Sequence, residues 1–192
     1  MRKTRIFLTD VYYHLICRGN NQDIFLIKRD FQKYIAGLEK YSQKFQVEIV
    51  AFSLMPNHVH LLVRQKSETP LSKFMQVLST SYATYFNFKH KRKGHLFENR
   101  FKHIEVGTDE YLIHLSRYIH LNASSARLVK MPEEYLWSSY RYYLGLDNLN
   151  FVEKRLVLGY FSKKNPTKDY KEFVDSRIDY QKEISIQKLL LE

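Results

Sequence analysis

Two β-rich runs, residues 47–54 and 58–64, are separated only by Met55-Pro56-Asn57. A connection that short has no room for a parallel crossover, so the two runs are predicted to pair as an antiparallel hairpin. Residues 11–18 (VYYHLICR) form an earlier β-rich run that stops at the turn cluster Gly19-Asn20-Asn21. Between them, Phe31, Tyr34, Ile35, Leu38, Tyr41 and Phe45 recur at helical spacing and form one apolar stripe. After the hairpin, Thr69-Pro70 has the form of a helix start, with Thr69 as N-cap and proline in the first helical position. Leu71, Phe74, Met75, Leu78, Tyr82 and Tyr85 supply its stripe. Residues 96–106 read as a fourth strand. Thr108 caps a further helix running to about residue 122, with Asp109 and Glu110 suited to its positively charged end. The order β-α-β-β-α-β-α predicts an α+β fold, an antiparallel or mixed sheet with helices on one face.

Residues 132–144 read as a helix closed by Gly145. A shift in composition over 145–150 divides the chain into a domain at 1–145 and a helical C-terminal extension at 146–192. In the extension, 151–161 and 166–177 read as short helices and 178–192 as an amphipathic stretch. The single cysteine, Cys17, excludes an internal disulfide and fits a cytoplasmic protein. No apolar run approaches the roughly 20 residues that cross a bilayer, so no membrane partner is expected.

The formal net charge of +11 points to a polyanionic partner, because Lys and Arg neutralise phosphates. The chain also carries 15 Tyr and 13 Phe. Most of the Phe are expected in the core, but aromatics interleaved with basic residues suit the faces of unstacked bases.

The sharpest local signal is Met55-Pro56-Asn57-His58-Val59-His60-Leu61-Leu62-Val63. Alternate side chains of a strand share a face, so His58 and His60 project together and can chelate a divalent ion. A third ligand has to come from another element. Asn122 lies one helical turn after Tyr118, beside the stripe Leu112, Leu115 and Ile119, so a phenol and a carboxamide can face one point.

In these pieces the chain resembles the HUH-type single-strand DNA transposases with one catalytic tyrosine, and within them the REP-associated tyrosine transposases. The resemblance rests on Tyr13-His14-Leu15 through Arg18-Gly19-Asn20, on Met55-Pro56-Asn57-His58-Val59-His60-Leu61-Leu62, and on Gly94-His95-Leu96-Phe97 with Arg100-Phe101-Lys102. It continues in Tyr118-Ile119-His120-Leu121-Asn122 and Trp137-Ser138-Ser139-Tyr140, in the family's order across roughly residues 10–145. It implies a ferredoxin-like sheet with the histidine pair on a central strand. It also implies that Tyr118 is the nucleophile, that His58, His60 and Asn122 are metal ligands, and that the protein acts in a prokaryotic cytoplasm, associated with the nucleoid.

The implied reaction is a transesterification in which Tyr118 attacks a DNA phosphorus and becomes a 5′-phosphotyrosine. Two positions depart from the pattern. Ala123 stands where proline is usual, so the helix can continue past Asn122. Glu98-Asn99 replaces glutamine and glycine ahead of Arg100. Imidazole ligands alone favour manganese, zinc or nickel, whereas the resemblance implies Mg2+ or Mn2+. Arg18, Lys91, Arg92, Lys93, Arg100 and Lys102, together with His90, are expected to hold phosphates of single-stranded or hairpin DNA. Monomer and homodimer both remain open. Two other readings are carried forward: a catalytically inactive hairpin or single-stranded nucleic-acid-binding module of the same fold, and a zinc hydrolase recruiting His103 or His120.

Overall fold

The computed structural model describes residues 6–179. Its centre is a four-stranded antiparallel sheet: β1 (Tyr12–Arg18), β2 (Val47–Met55), β3 (His58–Gln65) and β4 (Lys102–Val106), in the spatial order β2-β3-β1-β4. The β2–β3 hairpin is present as expected, and β1 is inserted between β3 and β4. Two long helices, α1 (Lys28–Phe45) and α2 (Leu71–Lys89), pack side by side on one face of the sheet. Their contact with the sheet is an apolar and aromatic layer that includes Tyr13, Leu15 and Cys17 from β1, Val59, Leu61 and Val63 from β3, and Tyr34, Phe74 and Tyr82 from the helices. Burial pushes the Cys17 thiol up to about 12, so it behaves as a core residue.

Period-two alternation places Tyr12, His14, Ile16 and Arg18 on the opposite face of β1, and His58, His60, Leu62 and Arg64 beside them on β3. A third helix, α3 (Asp109–Ser125), crosses this second face. Thr108 caps it through its hydroxyl, which accepts from the Tyr111 N–H at 3.2 Å. The expected cap of α2 differs. Pro70, not Thr69, is the N-cap, and the Gln65 side-chain carbonyl accepts from the Leu71 N–H at 2.9 Å. With Ala123 in place of a helix-ending residue, α3 continues three residues past Asn122.

Three expected elements are shorter than the sequence pattern suggested. The fourth strand occupies only Lys102–Val106, because Glu98, Asn99 and Arg100 are all exposed and break the alternation. The segment before it wraps the end of β1 through a single bridge between Gly19 and Phe97. Over 132–144 there is no continuous helix. A 3-10 turn (Pro132–Glu134) leads into an extended stretch and then one helical turn, α4 (Tyr140–Tyr143). The extended stretch binds the open edge of β2, with Leu54 N–H donating to the Trp137 carbonyl and Ser139 N–H to the Phe52 carbonyl. Covering an edge strand satisfies backbone groups that would otherwise face solvent, and that outcompetes local helix propensity. Likewise 151–161 yields only α5 (Arg155–Leu158), because Val152 and Glu153 pair with Ile49 on the same strand.

The helix expected over 166–177 is α6 (Pro166–Asp175). It inserts Tyr170 into a buried polar chain: Ser116 Oγ to Tyr170 Oη at 3.0 Å, Tyr170 Oη to His120 Nδ1 at 2.7 Å, and His120 Nε2 to Ser139 Oγ at 2.8 Å. The described part of the extension is therefore held on α3 by hydrogen bonds as well as by packing. From residue 180 onward, the amphipathic stretch expected at 178–192 lies outside the described residues.

Candidate active site

The register across the sheet assembles the site row by row. Arg18 of β1 lies opposite His58 of β3, and the next row on the same face runs Lys102, Ile16, His60, Ser53 from β4 to β2. The two histidines thus share a face, with ring centroids 4.9 Å apart, and two cations stand beside them at the same level. The turn before His58 is fixed by backbone donors. Gly19 N–H gives 2.7 Å to the Asn57 carbonyl, and Ile24 and Phe25 N–H groups share the Pro56 carbonyl. Gly19 is needed there, since a Cβ would sit 2.4 Å from the Gln22 carbonyl oxygen.

Each histidine has its Nδ1 engaged. His58 Nδ1 lies 2.6 Å from Asn57 Oδ1, and His60 Nδ1 lies 2.8 Å from Nε2 of His14, with the two ring centroids 5.0 Å apart. Above this layer the Tyr118 ring stands edge-on to His60 at 5.7 Å and to His14 at 6.3 Å. Tyr118 is 38% exposed, so it is reachable by a large substrate. Burial raises its phenol above the ordinary value, with Tyr111 adding to the shift, so the side chain is a neutral phenol at rest. Asn122, on the same side of α3, is buried, and its Nδ2 has no hydrogen-bond partner. Turning the amide by 180° exchanges Nδ2 for the carbonyl oxygen, a donor suited to Mg2+ or Mn2+.

The histidines are uncharged at neutral pH. Burial lowers His14 to about 4. It lowers His58 to about 4 as well, with the Arg18 guanidinium adding to the effect. His60 is pushed well down, by burial first and then by His58 and His14. His120, inside the polar chain, is held by burial at about 3. Neutral imidazoles keep their lone pairs for a metal without competition from protons. Two imidazoles on one face suit a divalent ion by donor type, and the unpartnered Asn122 amide is a further polar group on the helix that crosses that face.

In the unfolded chain these histidines return to about 6.5, so the unfolded state binds more protons below that pH. Stability is then full above pH 6.5 and is lost as pH falls toward 4, each unit of lowering contributing about 1.4 kcal/mol per fully shifted group. Thermal unfolding followed by circular dichroism from pH 8 to pH 4 is expected to show Tm steady above pH 7 and falling steeply below 6.5. A Tm unchanged between pH 6.5 and 4.5 would mean that the imidazoles are solvated.

His103 and His120 do not join this group. His103 lies opposite Leu15 on the other face of the sheet, against Phe7 and Phe101, and His120 is bound to Tyr170 and Ser139. Among the described residues no set of three or more His, Cys, Asp and Glu side chains is arranged to hold a metal.

The expected phosphate-binding residues divide into two groups. Arg18 and Lys102 are exposed on the histidine face, with Arg100 exposed two residues before Lys102. Lys91 and Lys93 are exposed in the turn after α2. In that turn Arg92 is partly committed, donating to Asn87 Oδ1 at 3.1 Å and to the His95 carbonyl at 3.2 Å. His90 points inward to the buried Asp30 carboxylate at 3.1 Å. Sequence reasoning missed Asn57 and His14 as partners of the histidine pair. Both lay within quoted motifs, but pairing across strands was needed to see His14 meet His60.

The family model for IS200-like transposases (Y1_Tnp) matches residues 7–122, which spans all four strands, α1, α2 and α3 as far as Asn122. The chain belongs to this transposase family. Its fold is shared with a REP-associated tyrosine transposase solved bound to a REP hairpin, at 16% identity and a TM-score of 0.64, covering 80% of this chain and 92% of that one. The tRNA(His) guanylyltransferase of Saccharomyces cerevisiae aligns at 8% identity and a TM-score of 0.50, over 94% of this chain and 82% of that one. Such a likeness concerns the fold and not the chemistry. A candidate transposase from Deinococcus radiodurans R1 aligns at 22% identity over 62% of this chain and 95% of that one; its TM-score of 0.45 is too low to support an argument. No curated protein matches the sequence. Among the described residues no helix is long and apolar enough to cross a membrane.

Proposed function

We propose that this transposase cuts and rejoins single-stranded DNA next to a hairpin, through a covalent bond to Tyr118. The observation that carries the proposal is a reachable phenol standing edge-on to the neutral His60 imidazole, with His58 on the same sheet face and Arg18 and Lys102 beside the pair. His58, His60 and the Asn122 amide would hold a divalent ion, Mg2+ or Mn2+, which when bound polarises the scissile phosphate and offsets the charge that builds up on it.

Tyr118 Oη forms the new bond to phosphorus, and the bond from phosphorus to the 3′-oxygen breaks. The phenol gives up its proton and the departing 3′-oxygen gains one, so the step is balanced without an external cofactor. The phosphodiester energy is kept in the phosphotyrosine, and a 3′-hydroxyl attacking that bond reverses the reaction. The raised phenol pKa means that no phenolate is stored at rest, so the proton leaves as attack proceeds. Arg18, Arg100 and Lys102 hold flanking phosphates and fix the register of the strand.

The test is incubation of the protein with single-stranded hairpin DNA and Mn2+, followed by denaturing electrophoresis. A protein–DNA adduct that survives denaturation is expected. Binding without an adduct over a range of hairpin substrates would favour an inactive nucleic-acid-binding module of the same fold.

Electrostatics give a separate prediction for the basic turn. Changing Lys91, Arg92 and Lys93 together to Ala is expected to lower the dependence of log K on log salt by about 2 for a single strand, since each phosphate contact contributes roughly 0.7. Titrations by fluorescence anisotropy between low and moderate salt measure this slope. An unchanged slope would assign the turn to solvent, consistent with the hydrogen bonds that already hold Arg92.

A further inference from the structure

We infer that His14 is a positioning residue for the metal centre, selecting the tautomer and orientation of His60 that present its Nε2 to the ion. The inference rests on the reading of His58 and His60 as ligands and adds a residue to which that reading gives no role. His14 lies on β1, one row along from His60 on the same face, and is buried at 4% exposure. Its Nε2 is 2.8 Å from His60 Nδ1, and the two rings are nearly parallel, 22° apart. A contact that short between two ring nitrogens requires one proton between them.

Two arrangements satisfy that requirement. If His14 Nε2 carries the proton, it donates to His60 Nδ1; His60 must then be protonated at Nε2 and cannot ligate through it. If His60 Nδ1 carries the proton, it donates to His14 Nε2, and His60 Nε2 is left with its lone pair. The neighbouring ligand offers a parallel. With the Asn57 amide oriented so that Oδ1 meets the ring, His58 Nδ1 is the donor in the 2.6 Å contact and His58 Nε2 holds the lone pair. The second arrangement gives His60 the same tautomer, so both imidazoles present Nε2. A carbonyl or ring-nitrogen acceptor behind a ligating imidazole fixes its orientation and raises its basicity, and losing such a partner lowers metal affinity about 10- to 100-fold. Burial strengthens the effect here, because a hydrogen bond at a site shielded from solvent is electrostatically stronger than one in water.

The test uses the full-length protein, His14→Leu and His14→Gln. Leucine fills the space without an acceptor, and glutamine restores a carbonyl acceptor. The first measurement is the 15N–1H NMR correlation of the His60 ring in metal-free wild-type protein at pH 7.5, with His58 as an internal comparison. The expected result is protonated Nδ1 and bare Nε2 on both rings. The second is Mn2+ affinity by electron paramagnetic resonance. Affinity is expected to fall about 10- to 100-fold in His14→Leu and to recover in His14→Gln.

A His60 ring protonated at Nε2 in wild-type protein would overturn the inference. So would unchanged Mn2+ affinity in a folded His14→Leu, or spin-echo modulation from three imidazole nitrogens in the wild-type Mn2+ complex, which would make His14 a ligand. Wild-type protein that binds no Mn2+ would instead remove the metal reading itself. If His14→Leu does not fold, the wild-type tautomer measurement still decides.

Discussion

Tyr118→Phe is expected to abolish the covalent DNA adduct and reduce strand cleavage by at least about 1,000-fold, while hairpin binding, Mn2+ binding and Tm stay close to wild type. The substitution removes one oxygen from a ring whose edge faces His60 and His14, so the packing of α3 is retained. Removing a covalent nucleophile leaves only positioning and electrostatics, and water has no equivalent fixed site from which to attack. Denaturing electrophoresis with a labelled hairpin reads the adduct, and anisotropy reads the binding. A persisting adduct would move the nucleophile to another tyrosine. Tyr111 is the first to examine, since it is 39% exposed on the same helix, two turns earlier.

His58→Ala is expected to act on a different quantity. Mn2+ affinity should fall by 100-fold or more, in line with losing one of about three protein ligands, while the Tyr118 phenol stays in place. Cleavage should fall with it and recover in part at high Mn2+, which Tyr118→Phe cannot do at any metal concentration. His58 lies at the start of β3 and is partly solvent-facing, so the fold should tolerate the change better than it would tolerate loss of the more deeply buried His60. Isothermal titration with Mn2+ checks the affinity. Unchanged Mn2+ binding in folded His58→Ala would remove His58 from the ligand set.

The features legible in the sequence are those set by local periodicity. A hairpin pinned by Met55-Pro56-Asn57 and an alternating His-Val-His were enough to put His58 and His60 on one face, because strand period needs no tertiary information. The four-residue step from Tyr118 to Asn122 likewise set both on one side of α3. Features created by pairing between distant segments were not legible. The contact of His14 with His60 depends on β1 entering between β3 and β4, a register no local pattern prints. Residues 132–144 read as a helix closed by Gly145, yet the unsatisfied edge of β2 draws the stretch around Trp137 into an extended pairing. The chain from Ser116 through Tyr170 and His120 to Ser139 joins three parts of the sequence. It also shows why His120, which looked like a possible ligand, is a core group.

A phosphotyrosine at Tyr118 on the 5′ end of the cut strand is tested directly by one labelling measurement. A hairpin substrate labelled separately at its 3′ or 5′ end is incubated with wild-type protein and Mn2+, the products are denatured, and the protein-linked fraction is digested and mapped by mass spectrometry. The expected result is that only the 3′-end label travels with the protein, that the released fragment ends in a 3′-hydroxyl, and that the modified peptide carries its nucleotide on Tyr118. Retention of the 5′-end label, attachment at another residue, or cleavage with no linked product would contradict it.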